Sequence, residues 1–245
     1  GVGGPSAAIV TERVATETAA PGPARIDTAQ AAQANASAAR AFELSTETVT
    51  GKTTHQIDGG GQGVPESLHA RLRREAVAEL AAPVISEYII SPQLGSRPMQ
   101  LLGIDPFADA PFRSFLGQSE QASMPDLDNL VTFLIQPGAL LISQPLAERY
   151  ALEPGDRITL VVGGRERQAF VAGVLIPADN LSQRTLEGLL LADISTAQEL
   201  AGMEGRLSRI DLILSNTNAV EKVEQWLPEG YRVIQASART STIQQ

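Results

Sequence analysis

Residues 206–236 read RLSRIDLILSNTNAVEKVEQWLPEGYRVIQA. Over 206–215, Ile210, Leu212 and Leu214 alternate with other residues, the period of two that gives a strand one buried face. Residues 217–227 place Val220, Val223 and Trp226 on one side of a helix. The last six, YRVIQA, predict a closing strand. The stretch is one β-α-β unit.

The same order stands earlier in the chain. ETVTGKTTHQI, 47–57, is rich in Thr, Val and Ile and predicts a strand that runs through Lys52. PESLHARLRREAVAELAA, 65–82, predicts an amphipathic helix with Leu68, Leu72, Val77 and Leu80 in one stripe. Pro65 is expected at its first helical position, where no amide donor is needed. PVISEYIIS, 83–91, predicts the second strand. Two such units predict an α+β, ferredoxin-like domain of βαβ-βαβ order. Its first and last strands pair antiparallel, so the chain should enter and leave at one end.

Between the halves the texture changes. Strands are expected at 98–105, 139–143 and 186–193. A hairpin of 156–162 and 165–176 turns at Gly163-Gly164, which supply the positive φ of a tight turn. Short helices are expected at 126–135, carrying Leu127, Leu130, Val131 and Leu134, and at 144–151 and 195–202. This is a β-rich insertion, expected to hang from the end opposite the termini. Residues 28–43, TAQAAQANASAARAFE, predict an Ala-rich helix that buries little, a stalk. Residues 1–27 read as a flexible leader or added sequence. The expected division is therefore 1–27 leader, 28–43 stalk, 44–95 with 204–237 one αβ domain, 96–203 inserted domain, and 238–245 the start of a second stalk.

Gly51-Lys52-Thr53 raises a nucleotide reading. A phosphate cradle needs G-x-x-x-x-G-K-[ST] between a strand and a helix. The first glycine should stand at position 46, which is Thr46, and the following GGGQG at 59–63 does not make G-x-G-x-x-G. A loop between strand and helix is the better reading, and no nucleotide or other cofactor is expected.

Composition narrows the classes. The 245 residues carry a net charge of −9, which argues against a nucleic-acid partner. There is no cysteine, which removes disulfides, thiolate metal sites and a thiol nucleophile. No apolar run reaches the roughly 18 residues of a membrane span. The chain begins with Gly, so it is expected to be a mature or excised piece of a longer protein.

Chemistry-bearing residues are sparse. His55 and His69, with Asp58 and Glu66, lie on a strand, a loop and a helix without metal-ligand spacing, and ordinary histidines are expected. No G-x-S-x-G occurs, and Gln118-Ser119-Glu120 lacks the second glycine. Asp126 and Asp128 suit a helix start. The triplets at Asn35 and Asn180 have glycosylation form and are read as chance. No catalytic, cofactor-binding or metal residue is expected, and the chain is read as not an enzyme.

GALLISQPLAERYALEPGDRITL, 138–160, followed by RQAFVAGVL, 167–175, resembles the extracytoplasmic domain of MacB- and FtsX-type ABC transporter permeases. The matching residues are Leu146-Ala147, Gly155-Asp156, Ile158, Leu160 and Val171-Ala172-Gly173. MQLLGIDP, 99–106, resembles the preceding strand, and the wording of THQI and SRPMQLLGIDPFAD is similar to the YbbP-like subgroup. The resemblance covers roughly 40–245. It implies a porter-type αβ part with a sabre-like insertion, and a periplasmic domain of a bacterial inner-membrane protein. It also implies an ABC ATPase partner reached through the membrane part, and a role in coupling ATP-driven motion to a cargo or partner protein. The cargo classes are lipid, lipoprotein, peptide or small molecule. The alternatives are a small-molecule or lipid hydrolase domain, which would need a nucleophile–base pair, and a passive binding or scaffold module.

Overall fold

A computed structural model describes residues 51–113, 127–176, 183 and 186–236, without the side chains of 127 and 128. The leader, the stalk helix, Thr46, Gln118–Glu120, Asp126, both Asn triplets and the segment after Ala236 lie outside the described residues. The fold mixes helices with one large sheet.

The strands are β1 His55–Asp58, β2 Val64–Pro65, β3 Leu80–Ile90, β4 Pro98–Ile104, β5 Ala139–Ser143, β6 Arg157–Val162, β7 Arg165–Leu175, β8 Leu189–Asp193, β9 Arg206–Leu207, β10 Arg209–Ile213 and β11 Arg232–Gln235. The helices are α1 Glu66–Arg74, α2 Pro106–Asp109, α3 Leu127–Ile135, α4 Gln144–Tyr150, α5 Ile194–Ala201 and α6 Thr217–Trp226.

Four strands lie side by side in the order β11-β1-β10-β3, antiparallel throughout. His55 faces Gln235 at the outer end of the β1–β11 pair. There the Ala236 amide donates to the Thr54 carbonyl at 3.0 Å. The described chain therefore begins and ends at one end of the array. One face of the array buries Ile57, Ile210 and Leu212 with Leu68 and Leu72 of α1 and Val223 of α6. Asn216 caps α6 by accepting from the Ala219 amide.

β3 is the strand that joins the two parts. Its first residues, Leu80 to Val84, pair with β10, while Val84 to Ile90 pair with β4 on the other edge. Beyond β10 the vacated edge is used twice. Ser208 breaks β9 from β10 and its hydroxyl accepts from the Ser86 amide at 2.9 Å. Then Ile89 and Ile90 pair with Val162 and Val161 of β6. The pairings β3–β4–β8–β5–β7–β6 thus close back on β3 as a ring of six strands. Closure leaves no open edge in that part. Ile85, Ile89, Leu101, Leu140, Leu160 and Leu190 lie in the main core, and α3 lays Phe133 over a second cluster with Leu102, Leu141 and Leu191.

Several expected elements are corrected. Gly51 and Lys52 form a turn, and the strand begins only at His55. Pro65 is not in the helix: its ψ of 136° is extended and it pairs with Arg206. The helix stops at Arg74 instead of 82, because Ala76 takes a left-handed φ of 48° and the Val77 amide returns to the Leu72 carbonyl. Leu80 then starts β3. The strand expected at 206–215 is split at Ser208, and that at 186–193 starts at Leu189. On α3, Val131 is exposed and Phe133 takes the buried position.

Candidate functional site

On β10, Ile210 and Leu212 go to the apolar core, so Arg209 and Asp211 go to the other face. That face is covered by the turn that follows β4. Asp105 starts the turn by accepting from the Phe107 and Ala108 amides at 3.0 and 3.3 Å. The turn buries Asp109 and, one helical step later, Arg113. The Arg113 guanidinium pairs with Asp109 and donates to Asp211 Oδ2 at 2.6 Å. Arg209 Nε donates to Asp211 Oδ1 at 2.7 Å. The Thr53 hydroxyl donates to the same carboxylate at 3.4 Å. The Arg113, Asp109 and Asp211 side chains are 0% exposed and Arg209 is 5% exposed, so the two cations and two anions form a closed, neutral cluster. Burial lowers the Arg113 pKa from its ordinary value, and the Asp211 carboxylate opposes that shift. In a dry site such charges persist only in company.

Next to the cluster lies an open groove of about 620 Å³ between the end of α1, the 105–111 turn and the start of α6. Val77, Leu80 and Leu214 give it apolar walls; Arg73 and Lys222 stand along it with Glu79 and Asp105. Phe107 lines both this groove and a neighbouring one of about 340 Å³, and is 79% exposed. The Lys222 ammonium donates to the Ala76 carbonyl at 3.0 Å, tying α6 to the end of α1. The indole of Trp226 reinforces the tie, donating to Glu75 at 2.6 Å while Arg71 stacks on its ring.

The Gly51-Lys52-Thr53 stretch does not form a phosphate cradle. The Lys52 amide donates to the Phe112 carbonyl at 2.7 Å, the Thr53 hydroxyl is engaged by Asp211, and a strand follows instead of a helix. His55 Nδ1 lies 2.9 Å from the Thr54 hydroxyl, but that oxygen accepts from the Leu214 amide and faces the Leu212 carbonyl at the sheet end. His69 is buried in α1 with Nε2 3.4 Å from the Ala81 carbonyl, and burial lowers its pKa. Asp58 accepts from Arg232 and from the Gly60 amide, and Glu66 accepts from Gln198. The structure does not bring the four together, and no metal-holding cluster occurs among the described residues.

The charge cluster was not anticipated from the sequence. Two signals were available: Asp109 and Arg113 at i, i+4 spacing, and Arg209 and Asp211 alternating with Ile210 and Leu212. Neither reveals that the two pairs meet, 98 residues apart between Arg113 and Asp211.

No family model matches the chain. Over 209 residues, 85% of the chain, it is 41% identical to the "Uncharacterized ABC transporter permease protein Rv0987" of Mycobacterium tuberculosis, and it spans 24% of that protein's length. Among solved structures, it is similar to the periplasmic region of MacB from Actinobacillus actinomycetemcomitans at TM-score 0.48 and 16% identity, covering 80% of this chain and 95% of that one. It is also similar to the extracellular domain of the noncanonic ABC-type transporter YknZ from Gram-positive bacteria, at 0.48 and 13%, covering 74% and 99%.

Proposed function

The chain is related to a segment of an ABC transporter permease, and from that premise we propose that it is the extracytoplasmic domain of a permease of the MacB and FtsX type. On this reading the domain is non-catalytic and couples ATP-driven movement of membrane helices to a cargo or partner protein. An ABC ATPase drives it through the membrane part. The four-stranded array serves as a ferredoxin-like porter part, and 96–203, which supplies the other five strands of the ring that β3 completes, as the sabre-like insertion. The 41% identity to the permease supports the class, and the fourth-first-third-second strand order supports the ferredoxin-like reading.

One observation carries the mechanical part. The first and last strands of the array are neighbours, and the Ala236 amide donates to the Thr54 carbonyl at 3.0 Å. A displacement applied at that end acts on both chain directions at once. A Gly-Ser segment inserted between Phe42 and Glu47 of the full-length permease should leave ATP hydrolysis intact and abolish transport. Normal transport with that insertion would exclude rigid coupling and leave the passive scaffold.

A further inference from the structure

Gly51, Lys52 and Thr53 precede β1 at the end where the described chain begins and leaves. They are joined to the 105–113 turn by more than β1's own ladder. The Lys52 amide donates to the Phe112 carbonyl at 2.7 Å. The Thr53 hydroxyl joins Asp211, which also holds Arg113. At Gly51, where φ is +58°, a Cβ would stand 2.1 Å from the Phe112 carbonyl oxygen. Only glycine allows this approach.

The route matters. Within the sheet, β1 reaches the ring only through β10 and then β3. The 105–113 turn continues directly from β4, a ring strand, and returns to Gly51. Through the Lys52–Phe112 bond it is a second connection that bypasses the β10 ladder, and through Asp211 its side chains also grip β10 from the face opposite the core. We propose that Gly51–Thr53 and the cluster of Arg113, Asp109, Asp211 and Arg209 form a latch that makes the lead-in segment and the six-stranded ring move as one body.

The ionic chemistry suits a latch. Apolar contacts of similar volume tolerate repacking. Asp211 instead accepts from Arg113, Arg209 and Thr53 in three fixed directions. Intermediate positions would leave a buried charge without its partner, which is strongly disfavoured. The contact is therefore either made or broken as a unit. What the latch is for, delivery of a displacement applied at Gly51–Thr53 to the ring, rests on the proposed function; whether it exists does not.

Amide hydrogen exchange on the 245-residue chain tests it. Gly51→Ala should speed exchange at Lys52, Phe112 and Arg113 together, by about tenfold or more, while Ile57 in β1 and Leu141 in β5 keep wild-type rates. Asp211→Asn should open the same group. If that variant does not fold, Thr53→Val, which removes one bond of the cluster, must still raise exchange at both Lys52 and Arg113. Acceleration at Lys52 alone, or equal acceleration of all amides, overturns the latch. The Gly-Ser insertion above reads the transport role separately, so the two ideas fail by different results.

Discussion

At His69 the surroundings make a titration test possible. Burial on α1 favours the neutral imidazole and lowers the pKa from 6.5, against the opposing Ala81 carbonyl. The charges facing it are Arg73, which lowers the pKa further, and Asp105 and Glu66, which raise it. The unfolded chain therefore binds this proton at a higher pH than the native one. The contribution is fully present above about pH 6.5 and is lost as the pH falls from there through the lowered native value. Replacing His69 by Gln should flatten that part of the stability–pH curve, read as urea midpoints between pH 5 and 7.5; an unchanged slope refutes it. The charge cluster behaves differently. Asp211→Leu strands Arg209, leaves Arg113 with Asp109 as its carboxylate, and should cost about 3–5 kcal/mol in urea unfolding, whereas replacing all four charges by apolar residues of similar volume should cost far less. Equal losses in both would show that volume alone holds the site.

Among the elements, α5 and the β3–β4 pair fit without slack. A Cβ on Gly103 would stand 2.2 Å from the Ala197 Cβ of α5 and 2.9 Å from the Ile85 Cβ of β3. Gly103→Ala should push α5 off the sheet and cost about 1–3 kcal/mol. A thermal midpoint within a degree of wild type would contradict that packing. Periodicity located most elements here because one face of each is buried. The hairpin of β6 and β7 turns at Gly163-Gly164 as its chemistry requires, with φ of 55° and 77°. Expectation and structure part where tertiary contacts overrule local preference. The Ala-rich stretch after Arg74 is a good helix former, yet it turns at Ala76 because Leu80 and Ala81 are drawn into β3 beside β10.

At the scale of the whole molecule, β3 serves two structures, and the main core contains Ile57 and Val223 of the array together with Leu140 and Leu160 of the ring. The two parts should therefore unfold together. Trp226 fluorescence, which reports the array, and far-ultraviolet circular dichroism should give coincident urea midpoints; two separated transitions would mean the ring and array are independent. Residue type and local period alone give the main strands and helices in order, though not β2, β9 or α2, and exclude thiol chemistry; the ferredoxin-like order they suggest brings the last strand back antiparallel beside the first. The resemblance carried by 138–175 pointed to the ABC transporter permeases, to which the relative at 41% identity also belongs. Tertiary structure was needed to show that β3 closes a ring, that Gly51 is a close-approach position against Phe112, and that Asp109 and Arg113 meet Arg209 and Asp211. The reason is physical: burial patterns are written along the chain at periods of 2 and 3.6. A charge pair between segments about a hundred residues apart leaves no periodic trace and exists only once the sheet has brought both to one face.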